Sequence, residues 1–333
     1  MERRDFLKLT AASGLLIAAD ALPSQASGTK ALPPDAVGIL YDATLCIGCK
    51  SCMVSCKQVN SQKGGALWSE TMKEGDRPYE FAGGLPTWDA PADLSGRTLN
   101  IIQAYRSGES TAKDDVNGYS FVKRHCAHCV HPACVSACPV SAMKKDARTG
   151  IVTYDKEACI GCRYCQVACP FIIPMFEWDQ AFPQIRKCQL CSHREAGKYS
   201  ACCEACPTGA SIYGKVADLR LEAARRLALR AGDNARYPLQ RVDSEKYVES
   251  KVARYENHTY GLHEVGGTQY LMLAGVPFEK LGLPKLPDES FASKSETIQH
   301  TLYKGMIAPG VLLAGLLFAA YKSSQGHEEE TKR

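Results

Sequence analysis

Sixteen of the seventeen cysteines in this 333-residue chain fall into four groups of four, and that spacing is the chemistry the sequence offers. Cys46, Cys49, Cys52 and Cys56 are spaced C-x2-C-x2-C-x3-C, and Cys159, Cys162, Cys165 and Cys169 repeat the pattern. Cys126, Cys129, Cys134 and Cys138 have a wider middle gap, while Cys188, Cys191, Cys202 and Cys206 form two pairs held apart by a longer loop. Cys203 is left over. Three thiolates at two-residue intervals wrap a tight loop around one face of an iron–sulfur cubane, and Gly48 and Gly161 let the backbone come close. The fourth cysteine starts a short helix that points away, so it does not easily close on the same cluster. A zinc site completes one tetrahedron from separated pairs and has no use for this arrangement. Attachment of c-type haem needs a histidine directly after C-x2-C, where Val130 and Ser192 stand instead. His125, His128 and His131 crowd the second group, but four thiols are already there, and supporting or surface roles suit the histidines better.

The sequence repeats itself around these cysteines. Tyr41-Asp42-x3-Cys46-Ile47-Gly48-Cys49 recurs as Tyr154-Asp155-x3-Cys159-Ile160-Gly161-Cys162. Cys134-x3-Cys138-Pro139-Val140-Ser141-Ala142 matches Cys202-x3-Cys206-Pro207-Thr208-Gly209-Ala210, which selects Cys202 over Cys203 as the ligand. Pro139, Pro170 and Pro207 each follow a cysteine, the C-P ending of bacterial ferredoxins. The whole looks like a duplicated ferredoxin-type unit.

The elements that position these groups are short. Thr98 to Tyr105 reads as a strand, and Ala217 to Ala231 as a helix with Leu219 and Leu227. From Gly232 to Ser295, prolines and glycines suggest an extended arm, with a strand at Gln269 to Leu273. Residues 61–120 read as an insertion carrying Trp68, Tyr79, Phe81 and Trp88; docking of a partner and packing against the cluster core both fit it.

The two ends carry addresses. Arg3-Arg4-Asp5-Phe6-Leu7-Lys8, an apolar stretch to Leu22 and small residues up to Ala26 predict an export signal of the twin-arginine kind. That route moves folded proteins, so clusters built on reduced thiols would be in place before export, and a disulfide scaffold is not needed to explain the cysteines. Near the other end, 305–321 holds no charged residue and is bracketed by Tyr303, Lys304, Tyr321 and Lys322, which predicts one membrane-spanning helix with 322–333 as a cytoplasmic tail. The net charge of +4 comes with no basic run that would track a phosphate backbone, and it is read as compensation for cluster charge, not nucleic-acid binding.

On these cysteines the chain resembles the four-cluster ferredoxin subunits of membrane oxidoreductases, which serve formate dehydrogenases, dimethyl sulfoxide reductases and [NiFe] hydrogenases. Gly266-Gly267-Thr268-Gln269, Gly275-Val276-Pro277 and Ile298 to Met306 narrow the resemblance to the iron–sulfur subunits of periplasmic hydrogen-oxidising [NiFe] hydrogenases. The resemblance implies four [4Fe–4S] clusters. Their ligand sets would be Cys46, Cys49, Cys52 and Cys206; Cys56, Cys188, Cys191 and Cys202; Cys126, Cys129, Cys134 and Cys169; and Cys138, Cys159, Cys162 and Cys165. It also implies an α+β fold: a duplicated ferredoxin-like core, with 37–60 and 176–216 as one half and 121–175 as the other, the insertion, a helix and arm over 217–304, and the transmembrane helix. The expected role is a non-catalytic electron relay from the hydrogenase small subunit, partnered by the large subunit, to a multi-span quinone-reducing membrane subunit at the periplasmic face. Two alternatives stand beside it: the iron–sulfur subunit of a molybdopterin enzyme such as formate dehydrogenase, and a non-redox metal-binding or disulfide module.

Overall fold

A computed structural model describes residues 31–60, 93–96, 98–106, 108–178, 183–195 and 197–330. The expected export signal and the four insertion aromatics lie outside the described residues.

Strand β1 (Val37–Asp42) is the hub of the body, which spans Lys30–Ala292. Its neighbours come from far along the chain: β8 (Ser211–Lys215) pairs with it antiparallel, and β11 (Tyr270–Leu273) pairs with it parallel on the other side. Side chains alternate across a strand, and here the alternation divides two interiors. Ile39, Tyr41, Tyr270 and Met272 face the layer that contains the cysteines. Leu40, Ile212, Leu271 and Leu273 face the opposite way, against Leu219 and Ala223 of helix α5 (Val216–Leu227). Those two helical residues and Leu227 lie four apart, one turn above another, so α5 presents a single apolar stripe.

Four two-stranded ribbons complete the strand inventory among the described residues. They are β2 (Ile101–Arg106) with β3 (Tyr119–Arg124), β4 (Met143–Lys145) with β5 (Val152–Tyr154), β6 (Met175–Phe176) with β7 (Ile185–Arg186), and β9 (Asn234–Pro238) with β10 (Tyr247–Lys251). Four short helices carry cysteines: α1 (Ser51–Asn60), α2 (Ala133–Ser136), α3 (Tyr164–Val167) and α4 (Ala201–Glu204).

A buried ionic network ties α5 to β1. Arg226 is fully buried; its Nη1 donates to Asp42 Oδ2 at 3.0 Å and its Nε to Glu222 Oε1 at 2.8 Å. Tyr255 donates to Asp42 Oδ2 at 2.7 Å and Thr44 Oγ1 to Asp42 Oδ1 at 2.6 Å, so both carboxylate oxygens are occupied. A buried charge persists only when paired and hydrogen-bonded, and this one is.

Two features differ from the sequence reading. The segment read as an extended arm is part of the body: β11 is buried along its whole length, and Gln269 before it joins three segments. Its Nε2 donates to the carbonyls of Val37 and Thr149, and its Oε1 accepts from Lys145. The fit is close enough that a β-carbon at Gly38 would lie 2.0 Å from the Gln269 carbonyl oxygen.

The second difference is a correction. The expected transmembrane helix at 305–321 is helical but belongs to a 40-residue helix, α6 (Phe291–Glu330), and no helix among the described residues is long and apolar enough to cross a membrane. The reason lies in length and composition. The uncharged run rises only about 25 Å, against about 30 Å of hydrocarbon. Nine of its seventeen residues are Gly, Ala, Pro or Tyr, which dilute the Leu, Ile, Val, Met and Phe between them.

Candidate cluster-binding site

All four C-x2-C loops make the same turn. The residue before the second cysteine is left-handed in each: Gly48 (φ 69°), His128 (φ 48°), Gly161 (φ 72°) and Leu190 (φ 50°). That conformation favours glycine, so the turn is legible in the sequence at two loops and hidden at the other two. At Gly48 the close approach is tight as well, since a β-carbon would sit 2.4 Å from the Phe121 ring. Backbone N–H groups then face sulfur. Gly161 donates to Cys159 Sγ and Leu190 to Cys188 Sγ, both at 3.4 Å; Ala142 donates to Cys138 Sγ at 3.2 Å and Ser211 to Cys206 Sγ at 3.4 Å.

The fold mixes the groups. Burial, followed by the neighbouring Cys188, Cys202 and Cys191, raises the Cys56 thiol well above its ordinary value. Cys129 is raised by burial and then by Cys169, Cys126 and Cys134. Burial, then Cys138, Cys159 and Cys162, push Cys165 up to about 11. Cys138, Cys159, Cys162 and Cys165 also line one small cavity together. Burial raises Cys46, and the neighbouring Cys206 adds to it. Cys49, the one exposed cysteine, accepts a hydrogen bond from Ser51 Oγ at 3.5 Å, and no contact places it beside another thiol. Each neighbourhood joins cysteines distant in sequence, and each resists holding several thiolates without added positive charge.

Among the described residues no three His, Cys, Asp or Glu side chains converge tightly enough to hold a single ion. A four-iron core gives each thiolate its own iron and so holds the sulfurs apart. The donor set fits such a core and not a mononuclear site.

Several supporting groups left no trace in the sequence pattern. Lys123 on β3 is fully buried, with Nζ 3.0 Å from Cys202 Sγ and 3.0 Å from Ser211 Oγ. Burial alone would push this ammonium down, but Cys202, Cys203 and Cys52 hold it well above its usual range. Lys187 is buried too and donates to the carbonyls of Val152 and Cys188. Lys145 Nζ donates to the Cys129 carbonyl at 2.9 Å. Asn60 Nδ2 reaches both Cys56 Sγ at 3.6 Å and Cys191 Sγ at 3.7 Å. Cys203 is fully buried beside Cys202.

Comparison with known proteins agrees with this chemistry. Residues 117–216 match the 4Fe-4S dicluster domain family. The Hydrogenase-2 operon protein HybA of Escherichia coli O157:H7 is 42% identical over 99% of this chain and 98% of its own length. The chain belongs to the HybA family. The same identity and coverage hold for HybA of Shigella flexneri. The Formate dehydrogenase-O iron-sulfur subunit of Escherichia coli (strain K12) is 30% identical over 96% of this chain and 88% of its own. As a HybA-family member, the chain carries multiple [4Fe–4S] clusters and serves electron transfer, with no catalytic role of its own.

Proposed function

We propose that the chain relays electrons for a hydrogenase through four [4Fe–4S] clusters, each held by cysteines from two parts of the sequence. The sets are Cys46, Cys49, Cys52 and Cys206; Cys56, Cys188, Cys191 and Cys202; Cys126, Cys129, Cys134 and Cys169; and Cys138, Cys159, Cys162 and Cys165. The observation that carries this is the mixing of groups: the thiols that act most strongly on Cys56 are Cys188, Cys202 and Cys191, all from another part of the sequence. On the same reading 37–60 with 176–216 form one ferredoxin-like half and 121–175 the other.

When bound, the clusters supply one-electron transfer. The chain supplies their order. Cys52 neighbours Cys202, Cys188 neighbours Cys126, and Cys134 neighbours Cys165, which supports a linear succession of the four sets. Electrons entering from a hydrogenase small subunit at one end would leave at the other toward a multi-span subunit that reduces quinone. The 42% identity to a hydrogenase-2 operon protein supports that partner. The paired arginines at Arg3 and Arg4 support export by the twin-arginine route to the periplasmic face, where the partners would hold the chain at the membrane.

The test is the intact complex. Iron and acid-labile sulfide in equal amounts, four reducible paramagnetic centres and co-purifying nickel are expected. A colourless preparation without iron would end the relay reading. Molybdenum in place of nickel would favour the formate dehydrogenase reading, which the 30% identity to those iron–sulfur subunits supports.

A further inference from the structure

We propose that the imidazole Nε2–H of His128 is donated to a sulfur of the cluster held by Cys126, Cys129, Cys134 and Cys169, and that it raises the reduction potential of that cluster. The inference rests on the ligand sets proposed above.

The backbone is the first indication. His128 has φ 48° at the loop position where Gly48 and Gly161 stand in the C-x2-C-x2-C-x3-C groups. A side chain there is held against a preference that glycine would satisfy, as Leu190 also is in its own loop, so the turn fixes where the imidazole starts and the polar contacts must say what it does. The tautomer is the second. The Val152 N–H donates to His128 Nδ1 at 2.9 Å. A backbone N–H cannot accept, so Nδ1 is a bare lone pair and the ring proton sits on Nε2.

The third is an empty bond. His128 is 1% exposed, and its Nε2 is buried with no hydrogen-bond partner. An N–H taken out of water without an acceptor is costly, and buried donors are nearly always paired. Among the described residues no atom accepts this one, so its acceptor lies outside them. In the chain His128 lies between Cys126 and Cys129, two ligands of one proposed cluster, and thiolate or sulfide sulfur is the electron-rich acceptor that arrives at that loop on loading. His125 makes the contrast. Its Nδ1–H donates to the Cys126 carbonyl at 2.9 Å, which leaves its own unpartnered Nε2 as a lone pair with nothing to give. Hydrogen bonds to cluster sulfur favour the more negative, reduced state, so removing this donor lowers the potential.

The experiment uses the full chain in its complex, labelled with 15N-histidine, reduced and observed by pulsed paramagnetic resonance. A histidine nitrogen coupling to one reduced cluster is expected in the unsubstituted protein. It should persist in His125→Phe and His131→Phe and vanish in His128→Gly, which restores the residue the repeat uses. In His128→Gly one of the four potentials should fall by roughly tenfold in its one-electron equilibrium, about 59 mV, with the other three unmoved. If His128→Gly fails to load that cluster, the unsubstituted protein together with His125→Phe and His131→Phe decides. Four iron clusters with no histidine coupling, or a coupling kept in His128→Gly, would overturn the proposal and leave a buried water as the partner of the N–H. Missing iron in the unsubstituted protein would instead overturn the ligand sets.

Discussion

A lysine with no contact to water is the least foreseeable residue in the molecule. The sixteen cysteines can be proposed as ligands from the sequence because ligand spacing is local: a loop of three residues either curls around a cluster face or does not. Nothing local says that Lys123 points inward. It sits in a strand beside Arg124, and only the placement of Cys202, seventy-nine residues away, turns its ammonium into a counter-charge. Replacing it, Lys123→Met, removes one positive charge beside a thiolate. The cluster assigned to Cys56, Cys188, Cys191 and Cys202 should then become harder to reduce by at least about tenfold, about 59 mV for one electron. A potentiometric titration reads this directly, and unchanged potentials would show that the lysine is structural. Gly48→Ala tests the loop turn itself. The added carbon meets the Phe121 ring at a left-handed residue, so the variant should lose one cluster's worth of iron while the other three load.

At the scale of elements, the short cluster helices and the hydrophobic side of α5 followed from spacing and periodicity. The expected strand at Gln269 to Leu273 exists as β11, but its central place did not follow from the sequence. Pairing between β1 and β11 joins residues some 230 apart, and no local pattern encodes which strand a buried run will meet. Prolines and glycines around it suggested a loose arm, whereas Gln269 donates to two carbonyls and accepts from Lys145. Gln269→Ala should cost about 1–3 kcal/mol, because buried groups are left unmatched; a lowered unfolding midpoint with full iron content would report it. Arg226→Met should cost more, about 3–5 kcal/mol, since it leaves Asp42 buried without its cation, while Glu222 keeps Arg225. A change of under 1 kcal/mol would mean that water reaches the Asp42 carboxylate.

On the scale of the whole molecule, the cysteines are part of the core and not appendages to it. Cys46, Cys52, Cys126, Cys188 and Cys202 pack in the same apolar cluster as Ile39, Tyr41 and Val122. Stripping iron with a chelator and an oxidant should therefore abolish near-ultraviolet dichroism and expand the chain, not just bleach it. An apo-protein that kept its native hydrodynamic radius would contradict this. The membrane segment was misread at the same scale. Over 305–321 the lack of charge, the Leu, Ile and Val residues and the flanking Tyr and Lys suggest a span, yet Gly, Ala, Pro and Tyr are interleaved among them without being strongly apolar, and a span needs both length and hydrocarbon.

The flanking of β1 by β8 on one side and β11 on the other sets a clock on biogenesis. While the ribosome is still working toward Leu273, one edge of the strand leading into Cys46 stays unpaired and open to water. Iron delivery before that point would meet a half-closed cradle, so insertion of the first cluster belongs after β11 has been made. Chains stopped just before Tyr270 should accordingly lack that cluster's iron even when cluster-building machinery is abundant.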